Sequence, residues 1–258
     1  MDSDISPILD SWDYVPGQVV VRRFTGKDGR LKIQLRVDLG VLQMNAHGRP
    51  DGKRPAGHPS LLDFFEARLK QHRARHSGSD EGFRLKAEDC SRLQVEAIQY
   101  HHRYICLLQL EDFAGALRDT TRNLRLFDFV VRYAGSEEYA WALQQFRPQL
   151  LLIDTRARAS QSLKAGDHAA ALRDIGRGIE RIREFYQEHG RTEALEHSGE
   201  LHTLEEWQEE LRRTRPLSPR EKLELDLNEA LQREDYETAA RVRDQLRSLK
   251  DPESPHAT

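Results

Sequence analysis

Residues 31–38 alternate strictly: Leu31, Ile33, Leu35 and Val37 fall on one side, Lys32, Gln34, Arg36 and Asp38 on the other. Successive side chains of a strand point to opposite faces, so this run predicts a strand with one buried and one solvated face. A second apolar run covers residues 18–24, and the link between the two offers Gly29 for the positive φ of a tight hairpin. A third run, residues 39–44, precedes the Gly/Pro-rich stretch 48–57, which reads as a loop or a second turn. Ser60 then occupies the cap position of a short helix over residues 61–72, with Leu61, Leu62, Phe64, Phe65 and Leu69 available for packing. Residues 12–76 thus predict a small antiparallel β-module closed by one helix.

Beyond a linker at residues 76–82 the period changes to that of a helix. Leu93, Ala97, Tyr100, Tyr104 and Leu107 recur at helical spacing, as do Phe113, Ala116, Leu117 and Leu124. Pro148 suits the first turn of a helix running through residues 150–163, where its missing N–H costs nothing. Ala171, Leu172, Ile175, Ile179, Ile182 and Phe185 form the next apolar face. Thr203 with Glu206, and Ser218 with Glu221, have capping-box spacing, and Pro219 adds a second start signal. The expected fold class is therefore α+β, mainly α. It comprises the β-module, helical hairpins over residues 83–215, and a separate hairpin over residues 219–250.

An internal repeat organises the helical part. Residues 110–119, 165–174 and 233–244 each place an Asp and a ring (Asp112-Phe113, Asp167-His168, Asp235-Tyr236) at a helix start, with Ala three residues after the ring. An Asp there caps the second helix of a hairpin. The ring is expected to plug the corner, and the Ala to let the backbones approach. The unequal spacing excludes a strict tandem array and implies insertions such as residues 136–146.

The second unit, residues 157–186, resembles a tetratricopeptide repeat. Ala159, Gly166-Asp167, Ala171 and Gly178 fall where that family places its small residues and turn, although Ser162 stands where an aromatic is usual. The terminal unit closely resembles the UVR motif, through Leu223, Leu227, Ala230, the Glu234-Asp235-Tyr236 turn, Ala239-Ala240 and Arg243-Asp244. That helical hairpin is shared by the UvrB and UvrC excision-repair proteins and by regulators of Clp and protein-arginine-kinase systems. The resemblance implies a protein–protein contact element without catalysis, and an architecture similar to bacterial UvrB/UvrC motif-containing proteins.

The residues of this unit point the same way. Leu223, Leu227, Ala230 and Leu231 form one stripe; Tyr236, Ala239, Leu246 and Leu249 form the facing one. So short a hairpin has little core of its own, since chains under ~40 residues usually need help. It should dock on the preceding helices, pair with a second copy to make a homodimer, or bind a partner, itself UVR-containing in the simplest case. Tyr236 is expected to insert between the helices beside Leu231 and Ala239 and also to form part of the outward contact. The candidate contact residues are Leu223, Leu227, Leu231, Tyr236, Ala239, Ala240, Arg243 and Leu246.

Composition narrows the alternatives. The 258 residues are 38% hydrophobic and 32% charged, which excludes a wholly disordered chain once the apolar periods are counted. No apolar run reaches the ~18 residues of a membrane span, and the acidic N-terminus lacks the apolar segment of a signal peptide, so a cytoplasmic protein is expected. Two cysteines sixteen residues apart make neither a disulfide framework nor a zinc site. His101 and His102 adjoin on a helix and diverge by about 100°. No phosphate-loop or dinucleotide pattern follows a strand into a helix. The expectation is a non-enzyme without cofactors: an adaptor or scaffold.

The competing readings are a nucleic-acid-associated repair accessory and a regulatory subunit of a kinase or protease system. The first rests on residues 19–54, with nine Lys/Arg against three Asp/Glu. There Arg22, Arg23, Lys32 and Arg36 offer a patch for a nucleic acid or an acidic partner. Against it, Lys and Arg on the open side of a strand commonly serve only to discourage edge pairing.

Overall fold

The alternation at residues 31–38 becomes the central strand of a three-stranded antiparallel sheet. Strands β1 (Val20–Thr25), β2 (Leu31–Val37) and β3 (Gly40–Asn45) pair in sequence order. The register sets Ile33 opposite Met44 and Leu35 opposite Leu42. Ile33 and Met44 are buried, as the pattern requires. The computed structural model describes residues 4–216 and 219–248.

The other face of β2 departs from expectation: Gln34 and Arg36 are buried rather than solvated. A short N-terminal helix, α1 (Ser6–Asp10), leads into a segment that covers them. The Arg36 guanidinium donates to the backbone carbonyls of Trp12 (2.8 Å), Asp38 (2.9 Å) and Val37. Arg22 stacks 4.2 Å over the Trp12 ring. Arg22, Gln34 and Gln43 occupy one cross-strand row and are linked by hydrogen bonds of 2.8 and 2.9 Å. An alternating pattern does not reveal a cover supplied by Trp12, 24 residues earlier in the chain.

Helix α2 (Leu61–Arg75) starts at Ser60, whose hydroxyl accepts from the Asp63 N–H, and runs past the expected end. The linker is tied down. Its Asp80 accepts from the Tyr133 hydroxyl (2.7 Å) and pairs with Arg73 and Arg132, while Phe83 and Leu85 just beyond it are buried. The helices that follow are α3 (Ala87–Gln109), α4 (Phe113–Tyr133), α5 (Glu137–Gln144), α6 (Arg147–Lys164), α7 (His168–Glu188) and α8 (Gly199–Thr214). Helix α8 begins at Ser198, which caps the Leu201 N–H. Thr203, expected as the cap, lies inside the helix and donates to the Gly199 carbonyl.

Three buried acids hold these layers together. Glu96 of α3 accepts from Arg49, Arg122 and the first N–H of α2. Arg103 grips Asp119 with two hydrogen bonds, both side chains 1% exposed, and also donates to the Asn45 and Gly48 carbonyls at the end of β3. Asp154 of α6 accepts from Thr120 at 2.8 Å and from Arg158 at 2.9 Å. Buried charges demand partners, and removing one partner leaves the other uncompensated. The described residues form two compact units, within Met1–Glu209 and within Glu210–Thr258.

Candidate functional site

The second unit contains α9 (Pro219–Gln232) and α10 (Tyr236–Ser248), joined by Arg233-Glu234-Asp235. The turn follows from its residues. Glu234 adopts a left-handed conformation (φ 56°), and the Asp235 N–H returns to the Ala230 carbonyl at 2.9 Å. The Asp235 carboxylate then caps α10 through the Thr238 N–H, which holds its pKa below the usual carboxylate range. The same backbone geometry recurs at Glu111-Asp112 (φ 54° at Glu111) and Gly166-Asp167 (φ 78° at Gly166), with caps to Gly115 and Ala170. The repeat in the sequence is thus a repeat of one turn.

Few side chains hold the two helices together. Ala230, Ala239 and Val242 are buried, and Leu223, Leu227 and Leu246 are half-buried. Ala240 and Arg243 face solvent. Tyr236 does not insert between the helices: it is 69% exposed, and Leu231 is 48% exposed. As the first residue of α10, Tyr236 has its Cα–Cβ bond tilted toward the helix N-terminus, so the ring overhangs the corner. Leu225, absent from the expected contact set, is 49% exposed, and Val242 was missed as core. Leu249 and Ser218 lie outside the described residues.

Residues 219–251 match the UvrB/uvrC motif. No curated protein and no solved structure matches the chain. The UVR hairpin therefore gives the observed exposure a context, that of a motif associated with protein–protein and repair-related interaction. Ion pairs on its surface, Arg220–Glu224 and Arg233–Glu229, balance charge within α9 and the turn. Among the mostly charged side chains that α9 and α10 turn outward, three large apolar ones are exposed: Leu225, Leu231 and Tyr236.

The basic sheet is different. Arg22 is bonded to Gln34, Arg23 pairs with Asp112 at 2.7 Å, Lys32 pairs with Asp28 at 2.9 Å, and Arg36 is buried among carbonyls. All four candidates for a phosphate or acidic-partner patch have intramolecular partners, and the structure does not gather them into a free cationic face. The remaining chemistry is core. His101 bonds the Tyr104 hydroxyl at 2.8 Å, and burial lowers its pKa. Burial pushes the Cys106 thiol up to about 12 and raises Cys90 as well. Among the described residues, no group of three His, Cys, Asp or Glu side chains stands ready for a metal, and no helix is long and apolar enough to cross a membrane.

Proposed function

We propose that the protein is a non-catalytic adaptor whose UVR hairpin is its contact element, with a second helical hairpin of the same type, a second copy of this chain included, as partner. The observation that carries this reading is the exposure of Tyr236, Leu231 and Leu225 on a hairpin whose buried core is two alanines and a valine. Large aromatic and aliphatic side chains concentrate binding energy at contacts because they bury much area with few rotors. Exposed anchors of this kind give a second helical hairpin apolar area to cover.

The β-module and helices α2–α8 then serve as the body that the hairpin tethers. Affinity capture from the native host, with the full chain and with a chain ending at residue 218, tests the reading. Retention of a UVR-bearing partner or of a second copy by the full chain alone supports it. Equal retention by both chains overturns it.

A further inference from the structure

The loop between β3 and α2 closes on itself. Asn45 N–H donates to the Pro50 carbonyl (2.8 Å), Gly52 N–H to the Arg49 carbonyl (2.9 Å), and the Asp51 carboxylate accepts from the Lys53 N–H (2.9 Å). Gly48 and Gly52 supply the positive φ angles, 68° and 73°. Arg49 anchors the loop to the core through Glu96 at 2.8 Å. Against this frame stands a cavity of about 440 Å³ bounded by Arg30, His47, Arg49, Lys53 and Arg54 and by no Asp or Glu.

Arg49 is neutralised by Glu96 and Asp51. Arg30 and Lys53, in contrast, have no ion-pair partner among the described residues, and Arg54 donates only to the Gly57 carbonyl. The Arg30 guanidinium lies beside Gly52, its Nη1 4.0 Å from where a Cβ on the glycine would stand. Arg30, Lys53 and Arg54 are exposed cations without an ion pair among the described residues that border one concavity, and an anion placed there is attracted by all three. On the sheet, by contrast, Arg23 and Lys32 have carboxylate partners, Asp112 and Asp28.

We propose that this cavity binds a phosphate monoester. Guanidinium groups match phosphate oxygens in paired hydrogen bonds, and a lysine adds a mobile point charge. The lining has no Phe, Tyr or Trp, and its one ring, His47, is exposed and contacts Arg118, so the phosphate and not a base is the recognised group, carried by a protein side chain or a small molecule. The inference stands apart from the UVR hairpin and survives or fails without it.

The test is a titration of the full chain, followed through the amide and imidazole signals of His47, with glycerol phosphate, a phosphoserine peptide and AMP. We expect saturable binding with dissociation constants near or below ~1 mM, and AMP no tighter than glycerol phosphate. Arg30→Gln with Lys53→Gln should weaken binding about tenfold or more, whereas Arg22→Gln with Lys32→Gln should leave it unchanged. A phosphopeptide that binds markedly tighter than glycerol phosphate identifies the source as a modified protein; equal affinity identifies a small phosphate. Absence of saturation with all three ligands, or equal weakening by both double variants, overturns the proposal.

Discussion

Gly178 of α7 lies directly against Thr155 of α6, so close that a Cβ on the glycine would overlap the threonine hydroxyl. The contact explains why a glycine occupies the middle of a 21-residue helix. Exchanging a helical Gly for Ala ordinarily stabilises by about 0.5–1 kcal/mol. Here the overlap forces the helices apart, a cost of roughly 1–3 kcal/mol. Gly178→Ala should therefore lower stability in denaturant unfolding, and adding Thr155→Ala should recover part of the loss. A stabilised Gly178→Ala chain would show that α6 and α7 are not so closely packed.

At the left-handed position of the three hairpin turns, two carry Glu and one carries Gly. Gly166 takes the left-handed position at no steric cost, while Glu111 takes it with a side chain. Glu111→Gly should raise stability by about 0.5 kcal/mol, because its exposed ion pair with Lys164 contributes little. Gly166→Ala should cost about 1 kcal/mol. Thermal melts of the two variants check both signs.

Asp80 sets a pH dependence. Hydrogen bonds from the Tyr133 hydroxyl and Arg73, with the nearby Arg132 charge, hold its pKa at about 2, down from an ordinary 3.8. A depressed carboxylate contributes stability that is present above its unfolded value and lost as pH falls through the folded one. Wild type should exceed Asp80→Asn in stability by a constant margin above about pH 5, and that margin should vanish toward pH 2. Chemical denaturation across that range measures it; a margin independent of pH would mean that the carboxylate charge plays no part.

How far the sequence could be read depended on where each signal lay. The alternation of β2 and the Asp112, Asp167 and Asp235 caps are local, and local period or turn chemistry exposed them. The burial of Arg36 came from residues 12–14, far along the chain from the strand they cover. Glu96 and Asp154 carried no pattern, and Asp119 only its place at the end of the repeated block, because a buried acid is distinguished by the arginine that reaches it. Tyr236 was found by its turn but misplaced, since position in the repeat does not say whether a ring enters a corner or overhangs it. Arg30 and Lys53, without an ion pair among the described residues, could not be told from the paired Arg23 and Lys32 until each partner was seen.

The central claim is that the UVR hairpin makes the contact, and the affinity of the full chain for its captured partner, a second copy included, tests it most directly. Tyr236→Ala should weaken that affinity by about 2 kcal/mol or more, as loss of an aromatic anchor does. Arg22→Glu with Lys32→Glu, on the sheet, should change it by less than about 0.5 kcal/mol. If the charge reversals abolish binding and Tyr236→Ala leaves it intact, the contact lies on the sheet and the adaptor account is wrong.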